Sequence, residues 1–187
     1  MSNLRKTVAT AMLISLCVVL PMVFHFIPQA GGALLPMHIP VLLAGLICGW
    51  KFGLITGIAG PLLSSMVTGM PPTGMVPVMM IELGTYGLVT GILSSVVRTR
   101  RIYVDLYVSL IIAMLVGRVI SGIARAMFFF GGSLSFFGGG YTLALWVSSY
   151  FITSVPGIII QLVFIPSLVI VLERARAIPR RYQPSGG

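Results

Sequence analysis

Six apolar runs divided by short loops set the organisation of this chain. The runs at residues 6–27, 38–50, 52–67, 75–97, 103–129 and 142–172 predict six helices. The first is long enough to span the roughly 30 Å apolar core of a bilayer. The second and third fall short of the usual span of about twenty residues, which predicts helices buried in a bundle, little tilted, or set in a thinned bilayer. Fusing them would place Lys51 at mid-span. Gly45 and Gly49 supply a close-packing face on the second helix; Gly53, Gly57, Gly60 and Ser64 line one side of the third. Pro61 should kink the third helix, and Pro156 and Pro166 the sixth. The loops at 28–37, 68–74 and 130–141 are rich in Gly, Pro or Phe and carry no charge. The expected fold is an all-α integral membrane protein with six transmembrane helices. It forms a single membrane domain over residues 1–187, with a frayed basic tail at 173–187.

Composition agrees: 57% of residues are hydrophobic and 8% charged, which excludes an ordinary soluble domain. The net charge of +9 changes the picture through its placement. Ten of the twelve basic residues (Arg5, Lys6, Lys51, Arg98, Arg100, Arg101, Arg174, Arg176, Arg180 and Arg181) fall on one side of a six-span topology. The loops of the other side have none. Positive residues collect in the cytoplasm, so both termini are expected there, and the charge needs no nucleic-acid partner. Arg5 and Lys6 ahead of an apolar run mimic a signal peptide, but the run is too long for one. Cys17 and Cys48 lack metal-ligand spacing and read as small hydrophobes.

Of three acidic residues, only Glu82 lies inside an apolar run. A carboxylate there is costly and faces a partner or a cavity. Met75, Met79, Glu82 and Tyr86 share one helical face. Arg118 and Arg125 share another, with Ser121 and Gly122 between them. Trp146, Tyr150, Thr153, Gly157 and Gln161 share a third. At about 1.5 Å per residue, Glu82 lies roughly 10 Å below the outer surface, Arg125 roughly 6 Å and Arg118 roughly 16 Å. A Glu82–Arg118 or Glu82–Arg125 ion pair is expected. One reading is a buried pair that only fixes helix packing. The other is an outward-facing pocket in which the second arginine serves a ligand carboxylate, phosphate or carbonyl. His25 and His38, at outer helix ends, read as interfacial residues. No GxSxG, P-loop or metal-ligand cluster occurs, so neither an enzyme nor a resident cofactor is expected.

The first helix carries small residues Thr7, Ala11 and Ser15 at four-residue spacing, a face for close approach of another helix, either within the chain or on a partner. With the predicted topology and the run MHIPVLLAGLICGWKFGLITGIAGPLLSS, the chain resembles the substrate-binding S component of an energy-coupling factor (ECF) vitamin transporter over about residues 5–175. The resemblance implies high-affinity binding of a vitamin or related micronutrient in an outer-half pocket, here Glu82, Arg118, Arg125, Met79, Tyr86, Trp146 and Tyr150. It implies gating by the loops at 28–37 and 68–74, with His38, Met70, Pro71 and Pro72. It further implies docking of the first helix on a transmembrane coupling subunit driven by two cytoplasmic ATPases, toppling of the S component to release cargo, and a bacterial plasma membrane. The family's Ala-xxx-Ala motif on that helix is represented by Ala11 and Ser15, with Thr7 one turn earlier. The aromatics and arginines favour a ring-bearing, anionic solute. The competing expectation is a membrane scaffold or small channel in which a Glu82/Arg118 pair is structural.

Overall fold

A computed structural model describes residues 2–24, 34–99, 101–130 and 142–179. Among them the regular structure is entirely helical. Helix α1 spans Asn3–Phe24, beginning three residues before the expected start; expected residues 25–27, and His25 with them, lie outside the described residues. Helix α2 spans His38–Cys48 and α3 spans Trp50–Thr68. The break falls at Gly49, whose φ of +97° is open to glycine and strained for other residues. The second helix was expected to reach Trp50; instead Trp50 opens α3, and Gly49 is the hinge rather than part of a packing face.

A short 3₁₀ turn, Thr73–Met75, leads into α4, Val76–Val96. Helix α5 spans Ile102–Phe130. Near its start, Asp105 accepts hydrogen bonds from the Thr99 backbone N–H (2.9 Å) and hydroxyl (2.6 Å), closing the connection from α4. The expected loop at 130–141 lies almost wholly outside the described residues. The sixth helix is not continuous. Helix α6, Leu143–Val147, passes into a π-helical turn, Ser148–Ile152, and α7, Val155–Arg174, restarts after it. Thr153 N–H bonds to Ser148 O, the five-residue closure of a π turn.

Helix α4 packs against α2, α3 and α5, while α7 reaches α2 and α5. The α3–α4 contact is made by backbones. A Cβ placed on Gly87 would collide with the backbone of Gly53, and one on Gly57 with the backbone at Leu83 and Gly84. The hairpin at Gly49 also brings Gly45 beside Gly53. The side chains that surround this seam form one core, including Leu42, Leu83, Tyr86, Leu110 and Ile165. Large apolar side chains on α1, α5 and α7 face outward, as lipid-facing surfaces do (Leu4, Val8, Met12, Leu115, Val119, Val163 and Phe164).

Asn3–Val23, Thr73–Val96, Ile102–Phe128 and Ser148–Arg174 are each long and apolar enough to cross a membrane. Helix α2, at 11 residues, is about 16 Å long, half of a bilayer core. Helix α3 has 19 residues but is less apolar than those four. The second and third segments pack against α4 and α1, which is the bundle-buried arrangement among those that their length left open.

Candidate functional site

The site is built on Glu82, six residues into α4 and only 7% exposed. Both carboxylate oxygens are engaged. His38 Nε2 lies 3.5 Å from Oε1, and the Tyr86 hydroxyl donates to the same oxygen at 3.4 Å. The Ser121 hydroxyl donates to Oε2 at 2.8 Å, and the Tyr150 hydroxyl reaches that oxygen at 3.3 Å. Ser121 Oγ and Tyr150 OH are themselves 2.8 Å apart. With the serine proton committed to the carboxylate, the tyrosine proton is shared between the serine and Glu82. These groups come from α2, α4, α5 and the π turn, so one buried carboxylate ties four segments together. Hydrogen bonds to a charged acceptor offset the desolvation that would otherwise expel it.

Neither arginine pairs directly with Glu82; the ion-pairing position is held by His38. The expected Glu82–Arg118 or Glu82–Arg125 bridge is thus replaced by an imidazole and three hydroxyls. Helical phase explains this. Ser121, one turn beyond Arg118 on α5, presents the shorter side chain to the carboxylate, and the guanidinium passes on to the π turn and to Ser154, just before α7. Arg118 Nη2 donates to Ser154 Oγ at 3.3 Å, and the guanidinium carbon stands 5.6 Å from the Phe151 ring centroid. Arg125 stands 5.6 Å over the Tyr150 ring. Trp146 completes the cluster, edge-on to Phe151 at 5.5 Å and 6.3 Å from Tyr150.

Glu82, Tyr86 and Tyr150 therefore meet in one network, with Arg118, Arg125 and Trp146 around it. His38, read from sequence as interfacial, is 5% exposed and packs its ring 5.0 Å from that of Tyr86. Met79 is half-buried against the apolar core and makes no polar contact. Met70, Pro71 and Pro72 lie on the loop after α3. That loop is latched to its own helix: Ser64 donates to Met70 O and Ser65 to Pro71 O, each at 2.8 Å. Thr7, Ala11 and Ser15 lie apart from the site, exposed on α1.

Phe151 and Ser154 escaped the sequence reading. An unbroken helix puts Thr153 on the face of Trp146 and Tyr150. The π turn adds a residue, so Ser154 is buried at 2% exposure while Thr153 faces out. Pro156, which lacks an N–H, was the one sequence signal of an interruption. Gly157 and Gln161, farther along, are buried as the face predicted.

No curated protein and no solved structure matches the chain. The family model of the ECF transporter substrate-specific component matches residues 5–169. That match covers every element of the site, from His38 to Ser154, and accords with the apolar helices in placing the protein in a membrane. The chain belongs to the family of substrate-specific components of ECF transporters, which are transporter subunits rather than enzymes.

Proposed function

We propose that this chain binds a vitamin or related micronutrient at the Glu82 cluster. It hands that cargo to a transmembrane coupling subunit driven by two cytoplasmic ATPases. The observation that carries the reading is the cluster itself: His38, Glu82, Arg118, Ser121, Tyr150 and Ser154, gathered inside an otherwise apolar bundle. Polar groups in a membrane interior are retained where they serve transport or binding. The scaffold or channel alternative rests on a Glu82–Arg118 pair, and no direct bridge joins these two residues.

The orientation follows from charge. Lys6 stands 5.9 Å over the Phe52 ring, next to Lys51, so the N-terminus and the α2–α3 hairpin share one end of the bundle. Gly91, near the end of α4 that leads to Arg98 and Arg101, abuts Trp50 at that same end. We place this end, with both termini, in the cytoplasm of a bacterial cell, as a six-segment, multi-pass protein of the plasma membrane. In this orientation Glu82, near the start of α4, lies toward the outer end of the bundle, and we assign gating to the Met70–Pro72 loop at that end.

Helix α1 supplies the docking surface for the coupling subunit. It turns Thr10 and Cys17 inward, leaving Thr7, Ala11 and Ser15 exposed. Thr7 donates its hydroxyl to Asn3 O and Ser15 to Ala11 O, both at 3.0 Å. With those hydroxyls turned back onto the helix, the face presents small apolar groups, which suits a close helix crossing in lipid. The test is uptake of a panel of labelled vitamins by cells that co-express this chain with coupling and ATPase subunits. One vitamin should accumulate only when the chain is present. Failure of every vitamin to accumulate, with no co-purification of the coupling subunit, would overturn the reading.

A further inference from the structure

Resting on the solute-binding reading above, we infer that the site selects a solute bearing an oxyanion, a carboxylate or phosphate. Arg118 is the group that binds it, and Glu82 positions the surrounding side chains without touching it.

The hydrogen bonds assign these roles. Glu82 is an acceptor, and four donors from the chain already fill it. It has little left to offer a ligand. Arg118 is the reverse. It is 4% exposed, yet its single hydrogen bond among the described residues goes to a neutral hydroxyl. Ser154 passes its own proton to Tyr150 O, so its oxygen is free to accept from the guanidinium. A guanidinium carries five N–H donors, and the face of Phe151 is no counter-ion. A buried charge in this condition is costly until an anion meets it. Among the described residues no carboxylate bonds to Arg118, although Glu82 stands within electrostatic reach. Glu82 is engaged, Asp105 lies about 20 Å away along α5, and Glu173 lies at the far end of α7.

A second buried donor stands alongside. Trp146 Nε1 has no hydrogen-bond partner, and its ring meets the same Phe151 that carries Arg118. Arg125, half-buried over Tyr150, adds a further positive charge. On the other side of the balance, His38 Nδ1 also lacks a partner. With Nε2–H directed at Glu82, it is an acceptor in the neutral ring. Beside Phe151 the unmet groups are the Arg118 guanidinium and the Trp146 N–H, both donors. The complement is an anionic, acceptor-rich group lying against aromatic faces. Planar, bidentate carboxylates and phosphates are what a guanidinium reads best.

The test is thermal stabilisation of the purified chain by probe pairs that differ in charge: nicotinate and nicotinamide, biotin and biotinamide, pantothenate and pantothenol, pyridoxal phosphate and pyridoxal. Native mass spectrometry of the gently purified chain accompanies it. We expect an anionic member to stabilise the wild type and its neutral partner to bind about tenfold more weakly or worse. The preference should vanish in Arg118→Gln and return in part in Arg118→Lys. A neutral member that binds as well as its anionic partner, or a preference untouched by Arg118→Gln, overturns the inference and leaves solute binding intact. A phospholipid as the retained mass overturns the assignment to a dissolved solute. A bare wild-type chain that responds to no probe overturns the solute-binding reading, and this inference with it.

Discussion

Helix α4 has two sides that solve opposite problems. Toward α3, Gly53, Gly57 and Gly87 remove side chains altogether, and the backbones meet. In lipid, where apolar burial drives no association between helices, such close contact supplies dispersion and a fixed geometry. Toward α5 and the π turn, the same helix presents Glu82 and Tyr86 to Ser121, Tyr150 and the neighbouring Arg118. Here large polar side chains hold the helices. One seam is rigid because nothing stands between the backbones. The other is held by side-chain hydrogen bonds and retains unmet polar atoms, among them Trp146 Nε1 and His38 Nδ1, which is where we propose that a solute binds. A binding protein in a membrane needs both, a wall that does not move and a wall with chemistry.

Crowding the glycine seam should do the most damage. Gly53→Leu combined with Gly87→Leu is expected to yield no folded, monodisperse protein on size-exclusion chromatography. Gly87→Ala alone should cost on the order of 3 kcal/mol, read as a fall in Tm in detergent. A wild-type Tm for Gly87→Ala would break the contrast between the seams. Next comes Glu82→Ala, which strands donors from four segments and should cost about 2–3 kcal/mol, with Glu82→Gln recovering part of the loss. Arg118→Met sharpens the comparison because its sign is reversed. Removing an under-partnered buried charge should leave the ligand-free protein as stable as wild type, or more stable by about 1 kcal/mol, while abolishing solute binding. A large loss of ligand-free stability would return Arg118 to a structural role. Paired Ser64→Ala and Ser65→Ala should cost about 1 kcal/mol per lost hydrogen bond and speed proteolysis at Met70–Pro72. The smallest stability effect belongs to Ala11→Leu, on a face that touches neither seam. Its Tm should equal that of wild type, and co-purification with the coupling subunit should be lost.

Hydrophobic runs, glycine spacing and loop signals located most of the helices to within a few residues, because in lipid the backbone must satisfy itself and length is set by the bilayer. The split between α2 and α3 was legible from Lys51, although the hinge itself is Gly49. Glu82, Arg118 and Tyr150 were legible as unusual residues for their surroundings. Their partners were not. A helical wheel places Arg118 and Ser121 on one face, but it does not say which of them reaches the carboxylate. That depends on the rotation of α5 against α4. His38 was misread because a position near a helix end says little about the depth of the end itself. Ser154 was hidden by the π turn, which widens one turn and puts Ser154 rather than Thr153 on the inner face. The family match shares this limit: it spans the site without assigning a role to any side chain in it.

We propose above that a solute occupies the site beside Arg118. Native mass spectrometry of the gently purified chain tests it most directly, with the wild type and Arg118→Gln prepared side by side. One small molecule of anionic chemistry should be retained per wild-type chain and none on the variant, with both proteins equally folded. A wild-type chain that stays bare after exposure to the vitamin panel, or a molecule held equally by the variant, would contradict it.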